Sequence, residues 1–86
     1  MEHEEHVFQN FAICIENSEY PASLELLKLY PVLSDSDAEE DGDLRIIDES
    51  GEDYLYPADY FLLLELPDET EHILQDSFSR RFRTVV

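Results

Sequence analysis

The sequence predicts a mainly β fold, a small five-stranded barrel followed by a C-terminal α-helix. Residues 43–48 and 53–56 have strand character on either side of a Glu-Ser-Gly-Glu turn, which is the pattern of a hairpin. A Pro-Ala-Asp-Tyr-Phe corner at 57–61 interrupts that ladder, and the Leu-rich segment 62–66 resumes it. A hairpin, a one-turn corner and a closing strand together form the back half of a small barrel.

Two earlier strands complete the predicted barrel. Residues 7–16 alternate as a strand with Phe11, Ile13 and Ile15 on one face. Residues 23–33 allow either a short helix or an irregular strand, and Pro31 favours the strand. The charged segment 34–42 is predicted to be a loop because it is too polar to pack.

The C-terminal part is predicted to be a helix over residues 68–82. Pro67, three acids in the first turn and arginines at the end match the helix dipole in both directions. One side of this helix carries an apolar stripe that consists of Ile73, Leu74, Phe78 and Phe82. The stripe must lie against the barrel or against another chain, so a homodimer through this helix is one of two open alternatives. The predicted organisation is a flexible N-terminus (1–6), a barrel (7–66) and a helix with a basic tail (67–86).

The charge distribution restricts the partners. The chain of 86 residues has 22 acidic and 5 basic residues and a net charge of -17. Three of the five basic residues are Arg80, Arg81 and Arg83, so residues 1–79 carry the 22 acids against Lys28 and Arg45, a balance of -20. Such a field repels nucleic-acid phosphates and anionic lipids and attracts basic protein surfaces. We therefore expect a basic protein partner, no direct nucleic-acid binding and no membrane binding.

Compartment and catalysis are also addressed by the sequence. No apolar run approaches the ~20 residues of a spanning helix, and the acidic N-terminus lacks the basic region of a signal peptide, so a cytoplasmic location is expected. Cys14 lies in an apolar alternation without a basic neighbour and is predicted to be a buried hydrophobic residue. No phosphate loop, nucleophile motif or distinguished carboxylate pair is present, so we expect no enzyme activity and no cofactor.

Two segments resemble known proteins. Tyr56-Pro-Ala-Asp-Tyr-Phe61 resembles the Ile-Pro-Ser-Asn-Tyr-Val run that SH3 domains carry before their last strand, which implies an SH3-like small barrel with Pro57 and Tyr60 lining a ligand groove. The chain has no Trp and lacks the SH3 Ala-Leu-Tyr-Asp-Tyr signature. Residues 21–30 followed by 48–61 are similar to a group of short, uncharacterised bacterial proteins, cyanobacterial ones among them. That similarity implies a shared fold and does not indicate an activity.

The candidate partner-binding residues lie around the 53–60 segment. They are Tyr54, Pro57, Asp59, Tyr60 and Asp53. Tyr54 and Tyr56 share a strand face and are predicted mainly to fill the core, since a barrel without Trp needs large rings inside. Tyr60 with Pro57, ringed by Asp53 and Asp59, is the better surface candidate and suits a basic peptide.

Two segments contain residues of the types that bind metal ions. Residues 37–48 place acids at positions 1, 3, 5 and 12 and Gly42 at position 6 of a calcium loop, although Asp48 is shorter than the usual Glu and the flanks have strand character. His3 and His6 fall on one helical face of the N-terminus. A solvated acidic loop and a soluble terminus are the simpler interpretations, and no metal site is predicted.

The sequence favours a noncatalytic interaction or regulatory module that binds a basic protein through an acidic, tyrosine-bearing surface. One alternative is an inhibitor that mimics nucleic acid and presents carboxylates to a nuclease or a DNA-binding protein. Another is a weak calcium-binding domain.

Overall fold

A computed structural model describes residues 8–81 of the chain, so the predicted flexible N-terminus, His3, His6, Phe82 and the end of the basic tail lie outside the described residues. Its elements are β1 (Phe8–Cys14), β2 (Leu29–Leu33), α1 (Ser36–Glu40), β3 (Asp43–Ile47), β4 (Asp53–Pro57), a one-turn helix (Ala58–Tyr60), β5 (Phe61–Leu64) and α2 (Asp68–Arg81). The five strands form one antiparallel sheet in the order β4-β3-β2-β1-β5. The predicted mainly β fold with a C-terminal helix is confirmed.

The sheet is curled but not closed. β4 and β5 are its two edges, and no strand ladder joins them in the described part of the chain. Only the one-turn helix separates Pro57 from Phe61, and these four Cα steps span at most ~15 Å. The edges of a flat five-stranded sheet would be ~19 Å apart, so the sheet must curl. The rings of Tyr56 and Phe61, from opposite edges, lie 6.2 Å apart inside the curl. The expected barrel is therefore an open, curled sheet.

The inner face of the curl holds the main core. Paired residues on neighbouring strands point to the same face, so Ala12 on β1 faces inward together with Tyr30 on β2. Cys14 is fully buried there, as the sequence predicted, and burial raises the pKa of its thiol. The cluster consists of Ala12, Cys14, Leu24, Tyr30, Val32, Leu44, Ile46, Tyr56 and Phe61.

The outer face of β1 is buried as well. Phe11 is fully buried, and its ring centroid lies 5.5 Å from that of Phe78 on α2. A strand covered on both faces has a continuous apolar sequence, which explains the run of apolar residues from 11 to 15. Phe11 and Ile13, which the sequence placed on one face, lie on this outer face and not in the inner core. Ala12 and Cys14 fill that core, and Ile15 is half exposed.

The charged segment 34–42 is not a loop throughout, which corrects the prediction. Residues 36–40 form α1, whose N-cap residue Asp35 accepts a hydrogen bond from the backbone N–H of Ala38 at 3.1 Å. Ala38 is the buried residue of this helix. One small apolar residue and one capping carboxylate are enough to anchor a single turn of acidic helix to the sheet.

The segment 23–33 forms a strand only over its last five residues. Its first part is a series of turns in which Leu27 takes a φ of 63°, and the N–H of Leu27 donates to the carbonyl of Cys14 at 2.7 Å. Pro31 is tolerated inside the sheet because β2 pairs with β3 only from Val32 onward. The missing N–H of Pro31 therefore interrupts no ladder.

Helix α2 confirms the predicted element within the described residues. Phe78 packs on Phe11 and Leu74 is half buried, whereas Ile73 remains 65% exposed. The residues of the stripe therefore differ in burial. The contact of Phe78 agrees with the alternative in which the helix packs against its own sheet. Within residues 8–81, no helix combines the length and the apolar character needed to cross a membrane.

Candidate functional site

The corner between β4 and β5 presents Tyr60 beside the start of β5. The one-turn helix carries Tyr60, and the carbonyl of Tyr60 accepts a hydrogen bond from the N–H of Ile15 at 2.8 Å. Its hydroxyl donates to Glu19 Oε1 at 2.7 Å, which links the corner to the loop between β1 and β2. This hydrogen bond to a carboxylate raises the pKa of Tyr60 to about 12. Tyr60 is therefore a neutral donor at physiological pH.

Tyr20 belongs to the same surface, and the sequence interpretation missed it. Its ring centroid lies 6.1 Å from that of Tyr60 and 5.1 Å from that of Tyr56, the latter in an edge-on arrangement. Tyr20 is 40% exposed and lies in a turn whose N–H groups at Ser23 and Leu24 both donate to its carbonyl. We call Tyr20, Tyr56 and Tyr60 the tyrosine cluster. A residue that precedes a proline is usually extended, so the Tyr-Pro pair at 20 and 21 predicts the backbone of Tyr20 but not the residues that its ring contacts.

Tyr56 forms the buried base of the tyrosine cluster. Its hydroxyl donates to Asp48 Oδ2 at 2.6 Å, and Ser50 donates to Asp48 Oδ1 from its backbone N–H at 2.9 Å and its Oγ at 2.6 Å. Asp48 is only 3% exposed, although its place beside the hairpin turn predicted a solvated carboxylate. Burial, together with the hydrogen bond to Asp48, raises the pKa of Tyr56 to about 12. The core role predicted for Tyr56 is thus confirmed.

The described contacts of Tyr54 and Asp53 are with residues outside the tyrosine cluster. Tyr54 is 50% exposed, so the core role predicted for it is wrong, and its hydroxyl donates to Glu52 Oε1 at 3.1 Å. Asp53 accepts a hydrogen bond from Arg45 Nη1 at 2.9 Å. In the part of the chain that the structure describes, no hydrogen bond or ring contact links either residue to Tyr60. Of the five predicted residues, the corner holds Pro57, Asp59 and Tyr60 together.

The basic side chains described for residues 8–80 pair with acids outside the tyrosine cluster. Arg45 bridges Asp53 and Asp35, with Nε 2.7 Å from Asp35 Oδ2. Lys28 Nζ lies 2.7 Å from Glu49 Oε2, and this pairing, together with the Tyr30 hydroxyl, lowers the pKa of Glu49. Arg80 pairs with Asp76 on α2 at 2.8 Å.

The acids beside the tyrosine cluster therefore have no cationic partner among those described side chains. Glu16 accepts hydrogen bonds from both the N–H and the hydroxyl of Ser18, which lower the pKa of Glu16. Glu19 accepts from Tyr60, and Asp59 is exposed on the corner. The surface combines two accessible phenol rings with an excess of negative charge.

Residues 37–48 do not have the geometry of a calcium-binding loop. Residues 37–48 are divided between α1, a turn and β3, so they form no continuous loop. The oxygens of Asp48, the twelfth position, accept from Tyr56 and Ser50 inside the protein. Within residues 8–81, no group of three or more His, Cys, Asp and Glu side chains is arranged to hold a metal ion.

No family model, curated protein or solved structure matches the chain. Function is therefore inferred from the geometry of the tyrosine cluster and of the sheet edge next to it.

Proposed function

We propose that the protein is a noncatalytic interaction module of SH3-like architecture that binds a basic segment of a partner protein. The binding surface consists of Tyr20, Tyr60 and Pro57 with the acids Glu19 and Asp59. The observation that carries the proposal is the Tyr20–Tyr60 pair, whose centroids are 6.1 Å apart and whose Tyr60 hydroxyl holds Glu19 at 2.7 Å.

The position of the segment 56–61 in the fold supports the SH3-like part of the proposal. The segment 56–61, which resembles the SH3 run, contains the one-turn helix between β4 and β5. In the SH3 family the Pro and Tyr of this run help to line the peptide groove. Here Pro57 and Tyr60 are both half buried, with part of each side chain open to a ligand.

The chemistry of the surface suits a lysine or an arginine. A cation over the face of an exposed tyrosine gains about 0.5–1 kcal/mol, and a carboxylate beside the ring adds a charge-assisted hydrogen bond. Glu19 is positioned by Tyr60, so it does not have to be ordered when the ligand binds. The negative field of the chain also accelerates the approach of a basic partner.

Affinity capture with matched tyrosine variants tests the proposal. The immobilised protein is exposed to a lysate of the expressing cells at about 50 mM and about 500 mM salt, a range over which screening of exposed charges becomes strong. We expect wild type and Tyr54→Ala to retain the same basic proteins at low salt and Tyr20→Ala to lose them. Tyr54 is the control because it is another exposed tyrosine, and its hydroxyl bonds to Glu52 and not to a residue of the tyrosine cluster.

Equal capture by Tyr20→Ala and wild type would overturn the assignment of the surface. Retention of a nuclease or a DNA-binding protein that duplex DNA displaces would instead support mimicry of nucleic acid. Both outcomes are read by mass spectrometry of the eluates.

A further inference from the structure

Within residues 8–81 no strand pairs with the outer edge of β5, and this edge is apolar. β5 is the last strand of the sheet, and it pairs with β1 on one side only. Leu62 is 57% exposed and Leu63 is 50% exposed. Soluble proteins normally protect such an edge with charges, a proline or a covering segment, because it is a template for another strand.

The register shows which backbone groups face outward. The N–H of Ile15 donates to the carbonyl of Tyr60, and β1–β5 pairing continues as Cys14 with Phe61, Ile13 with Leu62 and so on. Residues directed toward the partner strand alternate in an antiparallel ladder, so Leu62 faces β1 and Leu63 faces the open edge. The N–H of Phe61 is already bonded to the carbonyl of Ala58. The N–H and C=O of Leu63 are thus the central groups available to an added strand.

The charges around this edge select its occupant. Residues 59–71 contain five acids and no basic residue, so two β5 edges brought together would juxtapose like charges. A second copy is disfavoured for this reason, and a strand with basic ends is favoured. The edge also begins directly after Tyr60, so it is continuous with the proposed binding surface.

We propose that an extended, basic segment of a partner protein adds to β5 as a sixth strand. Its backbone bonds to Leu63, its apolar side chains cover Leu62 and Leu63, and a lysine or arginine at one end reaches Tyr20, Tyr60 and Glu19. This inference rests on the proposed function and adds the conformation of the ligand and the backbone groups that hold it. Strand addition supplies affinity through main-chain hydrogen bonds, and the tyrosine cluster supplies the preference for a basic residue.

The test uses a defined peptide and amide exchange. The probe is the capped nine-residue peptide Arg-Lys-Val-Thr-Val-Thr-Val-Lys-Arg, and its control has Glu in place of every Arg and Lys. We expect the basic probe, and not the acidic control, to slow exchange of the Leu63 amide by about tenfold or more. The amide of Leu62, which already bonds to β1, should change little.

Two substitutions at one position separate the backbone contribution from the side-chain contribution. Leu63→Pro removes the outward N–H and is compatible with an edge strand, whereas Leu63→Ala keeps the N–H. We expect Leu63→Pro to weaken binding of the probe by at least about tenfold and Leu63→Ala by less than about threefold. Circular dichroism and thermal melting verify that both variants fold.

The outcomes separate this inference from the proposed function. Binding that Tyr20→Ala weakens, with no protection of Leu63 and no effect of Leu63→Pro, overturns strand addition and leaves the tyrosine surface in place. Protection of Leu63 that Tyr20→Ala does not affect retains strand addition and overturns the tyrosine surface. No binding of the probe at about 1 mM, the weak end of measurable affinity, overturns the inference.

Discussion

Replacing Tyr56 by Phe removes a single hydroxyl from the base of the tyrosine cluster, and the structure indicates a large cost. That hydroxyl donates at 2.6 Å to Asp48, which is 3% exposed and has no other side-chain donor described except Ser50. The ring itself stays, so the packing against Tyr20 and Phe61 is preserved. The perturbation therefore isolates one buried hydrogen bond to a carboxylate.

The magnitude follows from the charge and the burial. A hydrogen bond to a charged group contributes about 1.5–3 kcal/mol, and its loss here leaves a carboxylate oxygen buried without that donor. A domain of this size has a total stability of roughly 4–13 kcal/mol. A loss of about 2 kcal/mol would lower the melting temperature by roughly 8–16 °C. Tyr56→Phe should therefore be visibly less stable at neutral pH.

The raised pKa of Tyr56 also predicts that the free energy of unfolding falls at alkaline pH. The pKa of Tyr56 is raised to about 12 in the folded protein against 10.0 for the ordinary side chain. The contribution is fully present below pH 10 and is lost as the pH rises toward 12, because the unfolded chain releases the proton first. The difference corresponds to roughly 3 kcal/mol. Tyr56→Phe should thus reduce the slope of stability against pH in this interval.

Urea unfolding monitored by circular dichroism at pH 7 and between pH 10 and 12 measures both effects. Tyr54→Phe is the matched control, since its hydroxyl bonds to the exposed Glu52 at 3.1 Å. We expect the control to lie within about 0.5 kcal/mol of wild type. A Tyr56→Phe variant as stable as this control, or one with an unchanged alkaline slope, would refute the reasoning.

Three further predictions concern the elements around the site. Phe78→Ala should lower the free energy of unfolding in urea by about 2 kcal/mol, because it removes the ring that covers β1. Ile73→Ala, the exposed control, should change that free energy by less than about 0.5 kcal/mol. A larger loss for Ile73→Ala than for Phe78→Ala would contradict the packing of α2. Asp35→Ala should cost about 1–2 kcal/mol because it removes the cap of α1 and one partner of Arg45, and an Asp35→Asn variant should recover the capping part. Calcium should bind weakly and without stoichiometry in calorimetry, and a site of about micromolar affinity that Asp37→Ala abolishes would restore the calcium alternative.

The parts of the fold that were predictable depend on local chemistry. Gly51 takes a φ of 85° in the turn between β3 and β4, and Pro57 ends β4 ahead of the one-turn helix. The cap and dipole signals of α2 likewise lie within its own sequence. These elements were predicted because a few neighbouring residues determine each of them.

The parts that were missed depend on contacts between distant residues. Tyr20 became part of the site because the curl of the sheet brings its loop to Tyr56 and Tyr60. Asp48 is buried because Tyr56, eight residues away, covers it. Helix α1 was not predicted because its sequence is mostly acidic and only Ala38 among its residues is buried. Pattern and propensity carry no information on such long-range burial.

The affinity of the basic nine-residue probe for two charge-reversed variants shows whether a basic segment binds at the tyrosine cluster. Glu19→Lys and Glu52→Lys each reverse a glutamate that accepts a tyrosine hydroxyl, but only Glu19 lies at the tyrosine cluster. Reversing a charge about 4 Å from a bound cation costs roughly 2 kcal/mol in water, or more than about tenfold in affinity. We predict that loss for Glu19→Lys and less than about threefold for Glu52→Lys, measured by calorimetry. Equal losses, or none for Glu19→Lys, would contradict a basic-segment site at the tyrosine cluster.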